Sequence, residues 1–87
     1  MDVVILTQTG CHFCEMATEI LGSLGAEFDL EVRHVNLASQ EGKLIAQKVG
    51  LPIPPGILID DELFSYGRPS ERRLRREFEK RLGRTTE

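Results

Sequence analysis

The sequence predicts a single α/β domain in which a mixed four-stranded sheet is covered by helices on both faces. Four short apolar runs have the length of strands, and three longer segments place apolar residues at helical spacing. Strand and helix alternate twice before a hairpin and a last helix, so the predicted order is β-α-β-α-β-β-α. The chain has 87 residues, 40% of them apolar and 29% charged, which suits one small globular domain.

The first unit is a strand, a tight loop and a helix. Residues 3–7 are apolar and rich in β-branched side chains without alternation, as expected for a strand buried on both faces. The following segment, TQTG, breaks this run. From Cys14 onward apolar residues recur at helical spacing, and Gly25 is predicted to end the helix in the left-handed conformation.

The second unit repeats this order. Residues 31–37 read as a strand, and Ser39 can then cap a helix over residues 40–49. Glu41 in the first turn suits the helix dipole, and Gly50 is predicted to close the helix.

A hairpin and a third helix complete the predicted domain. Residues 57–59 and 63–66 are short apolar strands joined by the turn sequence DDE, and Pro69 with Ser70 starts the last helix. The domain is predicted to cover residues 1–83, with residues 84–87 as a short tail. The apolar stripe of the last helix consists of Leu74, Phe78 and Leu82.

Charge and the N-terminus restrict the classes of function. The start, MDVVILT, has neither the basic residues nor the apolar length of an export signal or a membrane span, so we expect a cytoplasmic protein that does not insert into membranes. The net charge of −3 and the single aromatic residue of the last helix argue against nucleic-acid binding. We expect the protein to be a monomer.

The basic charge is concentrated near the C-terminus. Residues 1–62 carry ten acids and three bases, whereas residues 63–87 carry four acids and eight bases. One interpretation is a solvated helix face supported by pairs of Glu71 with Arg75 and of Glu77 with Arg81; the other is a docking surface for an acidic protein. The first interpretation is favoured.

Cys11 and Cys14 lie three residues apart at the start of the first predicted helix. Their Cα atoms are expected about 5 to 6 Å apart, so a disulfide between them can open and close with little backbone motion. The free N–H groups and the dipole of the helix start favour a thiolate at Cys11, and in such motifs the pKa can fall to about 3.5 to 7.5 from about 8.5. Cys11 is therefore the predicted nucleophile, and the less exposed Cys14 is the predicted resolving cysteine.

A zinc site and a structural disulfide are the alternatives to redox chemistry. A closed zinc site needs four ligands, and the only further soft or imidazole donors are His12 and His34. His12 lies between the cysteines, where it can hardly complete the same tetrahedron, and His34 is interpreted as a packed or rim residue. We therefore expect no intrinsic metal, and without an export signal a structural disulfide is the least expected of the three.

The motif CHFC after a first strand, the segment PPGILIDDE and the capped last helix together resemble the glutaredoxin-like branch of the thioredoxin fold. The resemblance implies a thiol-disulfide oxidoreductase that reduces protein or small-molecule disulfides through Cys11 and Cys14, with the redox-active disulfide as its only built-in redox group. It also implies a cis-proline facing the cysteines. The spacing of PGILID assigns this role to Pro55, with the Ile53–Pro54 bond as the alternative. A cis bond there would leave extended backbone with groups free to pair with a substrate chain, whereas the other interpretation is that these prolines only stop a helix.

The chain departs from the family pattern at residues expected to bind or tune the substrate. It has His12 and Phe13 where the family usually has proline and tyrosine, and Gln8 where a lysine meets the glutathione carboxylate. Gly67 is what remains of a glycine pair that holds the glutamyl end of glutathione, and Pro54 lies beside the predicted cis bond. His12 either stabilises the thiolate or is an exposed loop residue, and Phe13 either faces the partner or turns into the core.

These departures leave the reductant open between glutathione, another low-molecular-weight thiol and a thioredoxin reductase. The segment SYGRPSE partly resembles the small redoxins that deliver electrons to ribonucleotide reductase. Two other functions remain as alternatives. One is an iron–sulfur cluster carrier with Cys11 as a ligand, against which the retention of Cys14 weighs, and the other is a redox-inactive interaction domain of the same fold.

Overall fold

The computed structural model describes residues 1–83, so the tail predicted over residues 84–87 lies outside the described part. The predicted order β-α-β-α-β-β-α is confirmed. The strands are β1 (Asp2–Thr7), β2 (Glu31–Asn36), β3 (Gly56–Ile59) and β4 (Glu62–Tyr66). The helices are α1 (His12–Phe28), α2 (Gln40–Val49) and α3 (Glu71–Arg81).

The sheet is mixed and has the strand order β2-β1-β3-β4. β1 pairs in parallel with β2 and antiparallel with β3, and β3 pairs antiparallel with β4. In this register Gly56 at the start of β3 lies opposite both Leu6 near the end of β1 and Tyr66 at the end of β4. The loop after β1, the residues before β3 and the residues after β4 therefore meet at one end of the sheet, here called the Cys11 end.

Helices cover both faces of the sheet, as predicted. Val3 and Ile5 of β1 belong to the core formed with α1 and α3, whereas Val4 and Leu6 pack on the opposite face with residues of α2. This two-sided burial explains why β1 is apolar throughout instead of alternating. Within the described part of the chain, none of the helices is both long and apolar enough to cross a membrane.

The prediction that Gly25 ends α1 is wrong. The helix continues to Phe28, and Asp29 adopts the left-handed conformation as its C-cap, with φ of 57°. Phe28 is 4% exposed, and its ring centroid lies 6.1 Å from that of Phe78. Burying a large apolar side chain contributes about 1.5–3 kcal/mol, whereas a glycine inside a helix costs about 1 kcal/mol, so burial of Phe28 outweighs the glycine.

The apolar stripe of α3 is shorter than predicted. Leu74 and Phe78 are fully buried, but Leu82 is the C-cap residue and remains 38% exposed. The helix ends at Arg81, so the position that would have continued the stripe lies beyond the last helical turn. Ser70 caps the start of α3, as predicted.

Both ion pairs predicted on α3 are confirmed. Arg75 lies 3.4 Å from Glu71, and Arg81 lies 2.7 Å from Glu77. Arg75 also forms a hydrogen-bonded ion pair with Glu27 of α1, and this hydrogen bond raises the pKa of the Arg75 guanidinium above its ordinary value. The pair with Glu27 joins the exposed side of α3 to α1.

α2 begins and ends where predicted, with Ser39 as N-cap and Gly50 as left-handed C-cap. Gly42 has a role that the helical pattern did not reveal. A β-carbon at this position would collide with the carbonyl oxygen of Asn36. α2 therefore lies directly against the end of β2, and only glycine permits this approach.

Candidate active site

The loop that follows β1 delivers both cysteines to the Cys11 end of the sheet. Gly10 has φ of 70°, a conformation that glycine adopts without strain, and it turns the chain into α1. Cys11 is the N-cap of α1 with extended backbone, and its Sγ accepts a hydrogen bond from the backbone N–H of Cys14 at 3.1 Å. Cys11 thus occupies the position that serine or threonine often takes at a helix start.

Cys11 and Cys14 are joined by a disulfide, and their Cα atoms are 5.1 Å apart. This separation agrees with the spacing expected for two residues three apart at a helix start. Cys14 is 4% exposed, whereas Cys11 is partly exposed. A molecule arriving from solvent therefore meets the sulfur of Cys11 before that of Cys14.

The start of α1 provides a favourable environment for negative charge on Cys11. When the disulfide opens, the N–H of Cys14 can bind a thiolate more strongly than a neutral thiol, because a charged acceptor strengthens the hydrogen bond. The positive end of the dipole of α1 acts in the same direction. Glu15 adds negative charge in the first turn, which disfavours a thiolate at Cys11. Its side chain is exposed, so solvent and salt screen this repulsion.

A cavity of about 250 Å³ opens beside the disulfide. Gln8 and Glu15 both line it, so the cavity wall offers an amide and a carboxylate but no lysine or arginine. A larger cavity of about 500 Å³ lies at the opposite end of the sheet, beside Asp2 and Glu31, and neither cysteine lines it. The residues around the smaller cavity are Thr7, Gln8, Thr9, Gly10, Cys11, Cys14, Glu15 and Thr18.

His12 and Phe13 lie on the outside of the first turn of α1. The His12 side chain is exposed, and its ring centroid lies 6.3 Å from that of Phe13. Among the described residues, no hydrogen bond joins the His12 ring to either sulfur. Phe13 is 38% exposed, so it does not turn into the core and instead presents an aromatic surface next to the cysteines.

The proline segment lies at the Cys11 end because Pro55 directly precedes Gly56. The peptide bond between Pro54 and Pro55 is cis, and the Pro55 side chain is fully buried. The carbonyl of Pro55 accepts a hydrogen bond from the N–H of Gly67 at 3.0 Å. Neither proline has an N–H, and the carbonyl of Pro55 is occupied, so within residues 1–83 the carbonyl of Pro54 is the group of these two prolines that is left for a substrate chain.

Gly67 lies at the same end of the sheet, immediately after β4. It has φ of 71°, and a β-carbon there would lie 2.9 Å from Cδ1 of Ile53. Because its N–H is directed at Pro55, this amide is already occupied inside the protein. Gly67 therefore connects the end of β4 to the proline segment.

Two features of the site were missed by sequence reasoning. Glu15 lines the cavity next to both cysteines, and Thr18 donates a hydrogen bond from Oγ1 to the carbonyl of Cys14 at 2.9 Å. Their spacing from Cys11 and Cys14 on one helix was the available signal, because residues four apart on a helix are neighbours. Residues 1–83 contain no group of three or more histidine, cysteine or acidic side chains that could hold a metal ion.

Comparison with models of protein families supplies an independent observation. The Glutaredoxin model matches residues 3–64, which include all but the first residue of β1, both cysteines, the proline segment and β3. A comparison with curated proteins finds no match. A disulfide-bonded cysteine pair at the start of α1 and a mixed four-stranded sheet agree with the family match. The chain belongs to the glutaredoxin family.

Proposed function

We propose that this protein is a dithiol-disulfide oxidoreductase that reduces disulfides of protein substrates, with Cys11 as the nucleophile and Cys14 as the resolving cysteine. The arrangement of the pair carries this proposal. Cys11 is the partly exposed N-cap of α1 and is disulfide-bonded to Cys14, which is only 4% exposed. The sulfur of Cys11 is therefore accessible to a partner, whereas the sulfur of Cys14 is placed to react with Cys11.

The first step links the substrate to Cys11 through a mixed disulfide. The Cys11 thiolate attacks one sulfur of the substrate disulfide, a Cys11–substrate bond forms, and the substrate sulfur–sulfur bond breaks. The second substrate sulfur leaves as a thiolate and takes up a proton from water. The Cys14 N–H and the start of α1 favour the attacking thiolate by the interactions that hold Cys11 Sγ at the N-cap.

The second step releases the reduced substrate. The Cys14 thiol gives its proton to water and attacks Cys11 Sγ, which forms the Cys11–Cys14 disulfide and breaks the Cys11–substrate bond. The remaining substrate sulfur leaves as a thiolate and takes up a proton from water. Two electrons have then passed from the dithiol to the substrate. Because the two Cα atoms are only 5.1 Å apart, closing the disulfide requires little movement of α1.

We infer that a thioredoxin reductase recharges the dithiol more efficiently than glutathione does. In the family pattern glutathione is bound by a lysine three residues before the first cysteine, by a glycine pair and by free backbone groups. Gln8 supplies no charge, Pro54 and Pro55 supply no N–H, and the N–H of Gly67 is bound to Pro55. A partner protein can instead use contacts beyond these few groups.

The proposal is tested by following NADPH consumption with the oxidised protein. Insulin serves as the disulfide substrate, with either thioredoxin reductase or glutathione plus glutathione reductase supplying electrons. We expect turnover with the first system, a lower rate with the second, and none with Cys11→Ser in either. An active Cys11→Ser variant would contradict the assignment of the nucleophile, and faster recharging by glutathione would contradict the inferred reductant.

The division of roles is tested with Cys14→Ser. This variant can carry out the first step but not the second, so it should accumulate a mixed disulfide between Cys11 and the substrate, detected as a mass increase that dithiothreitol removes. Cys11→Ser is the matched control and should form no adduct. An adduct on Cys14 in that control would show that the roles are exchanged.

A further inference from the structure

The basic residues of the C-terminal segment divide into two groups in the structure. One group makes contacts with other side chains of the protein: Arg73 lies over the ring of Phe64 at 5.3 Å, and Arg75 and Arg81 form the ion pairs of α3. The other group is exposed, and the structure of residues 1–83 shows no acidic partner for any of its members. It consists of Arg68, Arg72, Arg76 and Lys80, here called the basic stripe.

Three of the four members of the basic stripe lie on one face of α3. Arg72, Arg76 and Lys80 follow one another at intervals of four residues, so they form a row of about 12 Å along α3. The row lies away from Leu74 and Phe78, which face the core. Arg68 directly follows Gly67 and extends the stripe toward the Cys11 end of the sheet.

Folding does not account for the basic stripe. Like charges four residues apart destabilise a helix, and the row on α3 contains two such pairs. Arg72 lies in the first turn, near the positive end of the helix dipole, where a cation is unfavourable. Lys80 in the last turn is the member whose position suits the dipole. The solvated-face interpretation therefore explains Arg75 and Arg81 but not the stripe.

We propose that the basic stripe docks an acidic surface of the protein that brings its disulfide to Cys11; this rests on the proposed oxidoreductase function. α1 and α3 cover the same face of the sheet, and both begin at the Cys11 end. Arg68 and Arg72 therefore lie at the same end of the sheet as Cys11, which is the end that a partner in contact with Cys11 approaches. Elsewhere the chain is acidic, with ten acids against three bases in residues 1–62, so the stripe is where an acidic partner is attracted instead of repelled.

The probes are two peptide disulfides that differ only in charge. Each carries a dye and a quencher across the disulfide and has the same residues next to the cysteine, followed by a run of either glutamates or lysines. We expect the reduced protein to cleave the acidic probe about tenfold faster than the basic one at low salt, with a ratio that approaches one at about 0.5 M salt. Equal rates at low salt would overturn the proposal.

Charge-reversal variants locate the effect. Arg72→Glu/Arg76→Glu should remove the preference for the acidic probe, whereas Lys43→Glu/Lys48→Glu on α2 changes the net charge equally and should retain most of it. Loss of the preference in both double variants, or in neither, would overturn the assignment to the stripe. Circular dichroism verifies that both variants fold.

Further measurements separate docking from its alternatives. Hydroxyethyl disulfide is small and uncharged, so all these proteins should reduce it equally. Failure of the unmodified protein to reduce insulin, hydroxyethyl disulfide and both peptide probes would refute the proposed function, whereas activity without charge preference would refute only docking. Binding of a short oligonucleotide that depends on Arg72 and Arg76, without a peptide preference, would assign the stripe to nucleic acid. A dimer in sedimentation that the Arg72→Glu/Arg76→Glu change dissociates would assign it to a second copy of the chain. Either result overturns the proposal.

Discussion

The starts of α1 and α3 have the same local geometry but different cap atoms. Cys11 Sγ accepts the N–H of Cys14 at 3.1 Å, and Ser70 Oγ accepts the N–H of Arg73 at 3.2 Å. In both cases the cap residue is extended and the donor lies three residues later. Both helices also begin at the same end of the sheet. The main difference is the acceptor atom, which is the sulfur of Cys11 in α1 and the oxygen of Ser70 in α3.

The two caps show that a hydrogen bond which stabilises a helix start can also stabilise a thiolate nucleophile. A serine cap stays neutral, so its hydrogen bond contributes only to helix stability. A cysteine cap can lose its proton near neutral pH, and the same N–H then stabilises a nucleophile. The residue that donates the N–H differs as well. Cys14 can form a disulfide with the cap residue Cys11, whereas Arg73 cannot form a covalent bond with Ser70. Predictions follow from exchanging or removing these caps.

The largest expected effect comes from Cys11→Ser. This change should abolish turnover while leaving the free energy of unfolding of the reduced protein within about 0.5 kcal/mol, because serine is itself a preferred cap. Insulin reduction measures the first quantity, and urea unfolding in dithiothreitol measures the second. A loss of more than about 1 kcal/mol would show that the sulfur packs in a way the cap comparison omits.

A second prediction moves the cysteine cap to α3. Ser70→Cys in the Cys11→Ser/Cys14→Ser background places a thiol at the other helix start, and Cys14→Ser leaves Cys11 as the sole thiol at the first. Both thiols should have a pKa below about 8.5, because the helix start favours the thiolate. Iodoacetamide alkylation should therefore fall as the pH drops through each lowered pKa. If the thiol at position 70 kept an ordinary pKa while that of Cys11 was lowered, a helix start would not be sufficient to lower the pKa of a thiol.

The helix starts were predictable from sequence because capping is local. Ser39 and Ser70 were predicted at helix starts, and each accepts an N–H from three residues later. Cysteine is not a usual cap residue, so the cap formed by Cys11 was not predicted, although the start of α1 there was. The end of α1 was not predictable in this way. Whether the helix passes Gly25 depends on the burial of Phe28 against α3, which is set by tertiary packing.

The candidate site shows the same division. The motif CHFC identified the cysteine pair, and the spacing of PGILID indicated Pro55, which follows the cis bond in the structure. The hydrogen bond from Gly67 to the carbonyl of Pro55 joins residues of different strands, so no local pattern announced it. For this reason the sequence suggested free backbone groups beside the cysteines, although the carbonyl of Pro55 is already bound to Gly67 and neither proline has an N–H.

A third prediction compares the glycines that precede the two helices. Gly10 and Gly67 have φ of 70° and 71°, so alanine at either position costs about 1–2 kcal/mol in the left-handed conformation. A β-carbon at Gly10 would meet nothing within 4 Å, whereas one at Gly67 would lie 2.9 Å from Ile53. Gly67→Ala should therefore lower the free energy of urea unfolding more than Gly10→Ala. Equal losses would mean that the Ile53 side chain moves aside without cost.

The smallest expected effect comes from removing the oxygen cap of α3. Ser70→Ala should lower the free energy of unfolding by about 1 kcal/mol, because the N–H of Arg73 loses its partner, and should lower Tm by about 4–8 °C. Reduction of hydroxyethyl disulfide should not change, since Ser70 does not line the cavity beside the disulfide, and Ser70→Asp should recover the lost stability. If Ser70→Ala instead impaired that reaction while the protein stayed folded, the start of α3 would influence the chemistry at Cys11. The conclusion that Ser70 contributes only to stability would then be wrong.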